Sequence, residues 1–60
     1  MEPEMMWTTY LIDGHVKDLY FRTNASSWFG ILNAAKGAAL RAEGGCEDIR
    51  ILLVNGFAAN

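Results

Sequence analysis

Sixty residues, 52% hydrophobic and 20% charged with a formal net charge of −2, make one small domain spanning 1–60 with a thin core, and exclude a disordered tail. The five Lys and Arg lie scattered at positions 17, 22, 36, 41 and 50, which leaves no basic stripe for a phosphate backbone and disfavours direct nucleic-acid binding. A lone cysteine, Cys46, makes no internal disulfide, and no Cys and His group has metal-ligand spacing, so neither metal nor cofactor is expected.

The chain opens "MEPEMMW", with acids where a secretory leader carries positive charge, and no apolar run approaches the roughly eighteen residues of a membrane span. A cytoplasmic protein is expected. Residues 5–23, "MMWTTYLIDGHVKDLYFRT", then hold two β-prone runs separated by Asp-Gly, a strong hairpin signal that predicts strands at about 6–12 and 15–23. The register stays open at this point. A three-residue loop groups Trp7, Leu11, Leu19 and Phe21 against Tyr10, Val16 and Tyr20, whereas a two-residue loop groups Tyr10, Ile12, Leu19 and Phe21 against Trp7, Leu11, Val16 and Tyr20.

In "TNASSWFGILNAAKGAALRAEGG" the period changes. At 100° per residue, Ile31, Leu32, Ala35, Ala38, Ala39 and Ala42 fall on the same side as Trp28, which predicts a helix over about 25–43. Asn24 or Ser26 is placed to cap its start, and Gly44-Gly45 to provide a left-handed exit. On the far side Gly30 and Gly37 lie with Ala34, either as ordinary surface glycines or as a smooth strip for a closely packed partner. The β-branched and Leu-rich run in "EDIRILLV" predicts a third strand over about 48–54, with Ile49, Ile51 and Leu53 on one side and Arg50, Leu52 and Val54 on the other. After it, "NGFAAN" turns or frays, being too short for a full fourth strand.

The order ββαβ predicts an α+β domain, a three-stranded antiparallel sheet ordered 2-1-3 with the helix packed on one face. In either register aromatics fall on both faces, although one helix covers only one of them. The excess apolar surface, which includes Tyr10 and Tyr20, suits a partner or a second copy of the chain. The same topology gathers Asp13, Glu43, Glu47 and Asp48 at one pole, with Arg41 the nearest cation. Glu43 stands at a helix C-terminus, where the dipole favours cations instead. Such a patch steers toward a Lys/Arg-rich surface.

No constellation completes a catalytic mechanism. His15 follows a turn, carboxylates near Cys46 would raise its thiol pKa, and "GILNAAKG" lacks the spacing of a phosphate loop. Asp13, His15, Glu47 and Asp48 have no ordered ligand spacing. A non-enzymatic protein is expected.

As architecture, "TTYLIDGHVKDLYFRT", "NASSWFGILNAAKGAALRAEGG" and "DIRILLV" together resemble the hairpin, helix and strand plan of small phage-encoded proteins, including some anti-CRISPR proteins. The resemblance implies a small, often acidic inhibitor that occupies a DNA-binding or subunit-contact surface of a host nucleoprotein complex, such as a CRISPR–Cas subunit. That group has no shared motif, so no site residue follows from it. The leading expectation is a protein–protein interaction module using Asp13, Glu43, Glu47 and Asp48 for steering and Tyr10 and Tyr20 for buried contact. The alternatives are a homodimer through the uncovered sheet face or an edge strand, and a nucleic-acid-binding regulator using Lys17, Arg22 and Arg50.

Overall fold

The computed structural model describes residues 3–45 and 48–59. Strand β1 (Glu4–Ile12) and strand β2 (His15–Thr23) form a hairpin; helix α1 (Trp28–Ala42), strand β3 (Ile49–Val54) and a two-residue strand β4 (Phe57–Ala58) follow. The strands form one antiparallel sheet ordered β2-β1-β3-β4, with the helix across one face. The expected 2-1-3 core is present, and it is extended by one short strand at the β3 side.

The Asp-Gly turn decides the register left open above. Asp13 and Gly14 both have positive φ, 51° and 76°, and Ile12 pairs directly with His15. Two left-handed residues in succession make the tight turn whose twist matches the strands it joins. Every later pair follows, from Tyr10 opposite Lys17 to Trp7 opposite Tyr20 and Met6 opposite Phe21. Side chains alternate across a strand, so Tyr10, Ile12, Leu19 and Phe21 share the helix-covered face, and Trp7, Leu11, Val16 and Tyr20 share the other.

Strand β3 departs from simple alternation. Thr9 pairs with Leu53 while its neighbour Tyr10 pairs with Ile51, so Leu52 is the extra residue of a β-bulge. Beyond the bulge the faces exchange. Val54, expected opposite Ile49 and Ile51, joins them beneath the helix and is fully buried. Thr8, opposite Val54, is also fully buried, and its hydroxyl donates to the Leu53 carbonyl at 2.7 Å. The hydroxyl thus satisfies a backbone acceptor beside the irregularity.

After Val54 the chain turns again on Asn55 and Gly56, with φ of 51° and 84°, a second turn of the same kind. Asn55 is tied to β1 from both sides. Its N–H donates to the Trp7 carbonyl at 2.9 Å, and its Oδ1 accepts from the Trp7 N–H at 3.1 Å. The turn lets Phe57 and Ala58 pair with Val54 and Leu53, so the tail forms a short strand where a turn or frayed end was expected.

The helix begins later than the expected residue 25. Ser27, rather than Asn24 or Ser26, is the cap, with extended backbone and a hydroxyl accepting from the Gly30 N–H at 3.1 Å. A Cβ at Gly30 would stand 3.1 Å from Ala25 Cβ, so this glycine serves the tight helix entry; at Gly37 a Cβ would meet only Arg41 at 3.5 Å. At the other end Gly44 and Gly45 take the left-handed conformation, and the Gly45 N–H closes on the Leu40 carbonyl at 2.7 Å. Ala35 and Ala39 are the fully buried helix residues, whereas Trp28 and Ala42 lie at the exposed margins of the apolar stripe. Their small size lets the helix settle on the bulkier Tyr10, Ile12, Phe21, Ile49 and Val54 of the sheet.

Candidate interaction surface

The register leaves one face of the sheet without a helix. Along β1 and β2 it presents the cross-strand pairs Met5 with Arg22, Trp7 with Tyr20, Thr9 with Asp18 and Leu11 with Val16. Beyond β1 it continues through Leu53 opposite Thr9 and Arg50 opposite Leu11. Tyr20 is 74% exposed, Val16 63% and Met5 55%, while Trp7 and Leu11 are half-buried. Part of Trp7's cover comes from the second turn: a Cβ at Gly56 would stand 3.8 Å from its ring. A half-solvated antiparallel sheet ordinarily shows polar residues here. Thr9, Asp18, Arg22 and Arg50 are polar, the charges are of mixed sign, and Asp18 is hydrogen-bonded by the Thr9 hydroxyl; the rest of the face is aromatic or aliphatic.

Tyr10 and Tyr20, grouped as contact residues from the sequence, go to opposite faces. Tyr10 lies under the helix at 3% exposure, so it contributes to the core and not to a docking surface. Its hydroxyl donates to Glu43 Oε2 at 2.6 Å, and Lys17 Nζ reaches the same carboxylate at 3.1 Å. The Tyr10 hydrogen bond, then the Lys17 ammonium, holds the Glu43 carboxyl below its ordinary pKa. That bond, together with burial and repulsion from the carboxylate, pushes the Tyr10 phenol up to about 12. These contacts explain an acid at a helix C-terminus. Glu43 ties α1 to the hairpin, which offsets its disfavoured position in the helix dipole.

The acidic pole is correspondingly divided. Asp13 and Asp48 are exposed and line one shallow hollow with Leu11, Gly14, Ile49 and Arg50, whereas Glu43 is engaged on the helix side. Arg50, not Arg41, is the cation beside the two aspartates. Glu47 and Cys46 lie outside the described residues. His15 is exposed at the start of β2, and among the described residues no group of His, Cys, Asp and Glu is arranged to hold a metal. Nor is any helix among them long and apolar enough to cross a membrane.

One apolar feature was not foreseen. Trp28, Ile31, Asn55, Phe57 and Ala58 line an open groove of about 580 Å³ between the start of α1 and β4, with Phe57 69% exposed. Its signal in the sequence was faint: Phe57 faces Trp28 only because the second turn folds the tail back as a strand. No protein-family model, curated protein or solved structure matches this chain.

Proposed function

We propose that this chain is a non-enzymatic protein–protein interaction module that docks through the helix-free face of its sheet. The observation that supports the reading is that Met5, Trp7, Leu11, Val16 and Tyr20 share a face that no helix covers, interrupted by the Thr9–Asp18 pair, with Tyr20 74% exposed. Tyr and Trp combine large contact area with a polar tip, and such residues dominate binding energy where they are central and ringed by polar groups. Here Arg22 and Arg50 stand beside the apolar pairs, and Asp18 sits between Tyr20 and Val16. Asp13 and Asp48, exposed at the turn end, add steering toward a basic partner. The concrete form is a small inhibitor of the anti-CRISPR type, blocking a nucleic-acid or subunit contact of a host nucleoprotein complex.

The test uses paired baits. The wild-type chain and a Val16→Glu/Tyr20→Glu variant, both verified as folded by circular dichroism, are used for affinity capture from the native host. The reading expects a partner retained by the first bait and lost by the second, while Phe29→Ser, on the helix, keeps it. A partner retained equally by all three overturns the docking face.

A further inference from the structure

We infer that β2 pairs edge to edge with β2 of a second copy, antiparallel about a two-fold axis at Tyr20, giving one sheet continuous across the dimer. The pairing uses the backbone edge of β2, whereas docking uses the side chains of the face; Asp18, Tyr20 and Arg22 belong to both, so the two are tested with variants on different strands.

Strand β2 is terminal in the sheet, nine residues long, without proline or bulge, and among the described residues no strand lies beyond it. Its free hydrogen-bonding groups follow from the turn. The pair closing a two-residue turn, Ile12 with His15, is a hydrogen-bonded pair, and such pairs alternate along an antiparallel ladder. The backbone groups of His15, Lys17, Leu19 and Phe21 therefore point at β1, and those of Val16, Asp18, Tyr20 and Arg22 point outward. An outward row of this length is a template for another strand, and edge strands usually block it with charges that repel a copy.

Here the charges select a copy. Asp18 and Arg22 stand two residues either side of Tyr20 on the same face. A two-fold axis at Tyr20 places Asp18 of each copy opposite Arg22 of its mate, Leu19 opposite Phe21, and Tyr20 opposite itself. Tyr20 carries outward backbone groups, so this register makes hydrogen-bonded pairs at all three of Asp18, Tyr20 and Arg22. Shifting the register either way loses the match: an axis at Leu19 sets Asp18 against Tyr20 and an axis at Asp18 sets two aspartates together, while an axis at Phe21 sets Arg22 against Tyr20 and an axis at Arg22 sets two arginines together. Opposite charges across a ladder stabilise it and like charges destabilise it, so one register is singled out. Lys17, the other cation of the edge, faces Thr23 of the mate and is already held by Glu43.

Sedimentation equilibrium from roughly 1 μM to 1 mM tests the assignment, with circular dichroism checking the fold of each variant. The wild-type chain is expected to show a reversible monomer–dimer equilibrium. Asp18→Arg and Arg22→Asp singly each set like charges opposite one another twice and are expected to weaken the dimer by about tenfold. The double exchange D18R/R22D restores the pairing and is expected to recover the wild-type constant. Tyr20→Pro removes an outward N–H while leaving the β1 ladder intact, and is expected to give a folded monomer. A wild-type chain that stays monomeric throughout, or a dimer that the double exchange does not recover and Tyr20→Pro does not dissociate, overturns the pairing. Capture by the docking face is read separately with Leu11→Glu, on β1 and away from the β2 edge, which is expected to lose the partner while keeping the monomer–dimer equilibrium.

Discussion

The hydroxyl of Tyr10, on the central strand, and the carboxylate of Glu43, just past the helix, share a 2.6 Å hydrogen bond. With Lys17 on the same carboxylate, this contact fixes the end of α1 to both strands of the hairpin. Tyr10→Phe removes the hydroxyl while keeping the ring's packing. It is expected to lower the thermal midpoint and to raise the Glu43 pKa toward the ordinary carboxylate range, as read by carbon-detected NMR titration. An unchanged Glu43 titration would mean that the phenol does not hold it.

The same pair sets both ends of the pH profile. Because the folded chain depresses the Glu43 pKa, it binds fewer protons than the unfolded chain in mild acid. The stabilisation is complete above the ordinary value of 4.5 and is lost as pH falls through the depressed one. Tyr10 works in the opposite direction. Its pKa is raised, so the stabilisation is complete below 10.0 and is lost as pH climbs toward about 12. In a Tyr20→Phe background, tyrosinate absorbance is expected to appear late and together with unfolding. Early ionisation of a folded protein would contradict the buried hydrogen bond.

Thr8 and Val54 are the fully buried pair beside the bulge. Thr8→Val leaves the Leu53 carbonyl without its donor and is expected to cost about 1–3 kcal/mol. Val54→Ala opens a void under the helix and is expected to cost about 2 kcal/mol. In a domain this small each kcal/mol lowers the midpoint by roughly 4–8 °C, so both are measurable by thermal denaturation.

Much of this architecture was legible in the residues. Asp13-Gly14 announced the hairpin, the apolar period from Trp28 announced the helix, and Gly44-Gly45 announced its end. What stayed hidden depended on backbone geometry that several sequences share. Gly14 suits a loop of two residues or of three, so the face of Tyr10 turned on whether Asp13 also adopts positive φ, as it does. Leu52 looks like any other strand leucine, and nothing beside it advertises a bulge. The acidic pole was read from topology alone, which brought Glu43 near Asp13 but did not show that Tyr10 and Lys17 would claim its carboxylate.

Asn55 clamps the second turn to Trp7 through both its N–H and its Oδ1. Asn55→Ala loses the side-chain acceptor and places alanine at φ 51°. The expected cost is about 1–2 kcal/mol, with rapid amide exchange at Trp7. Asn55→Asp, which keeps an acceptor oxygen, is expected to retain most of the protection.

The bulge at Leu52 makes β3 a strand with two phases, and this has a consequence for how the chain tolerates changes in length. Deleting Leu52 would restore unbroken alternation with Ile51, Leu53 and Val54 still opposite Tyr10, Thr9 and Thr8, so that Val54 stays beneath the helix and the second turn stays in step with Trp7. A further residue inserted between Ile51 and Leu53 would shift the phase again, whereas the loss of Leu52 keeps both faces as they are. The chain is therefore expected to keep its fold when Leu52 is removed and to lose stability when β3 is lengthened by one residue, as read by thermal denaturation.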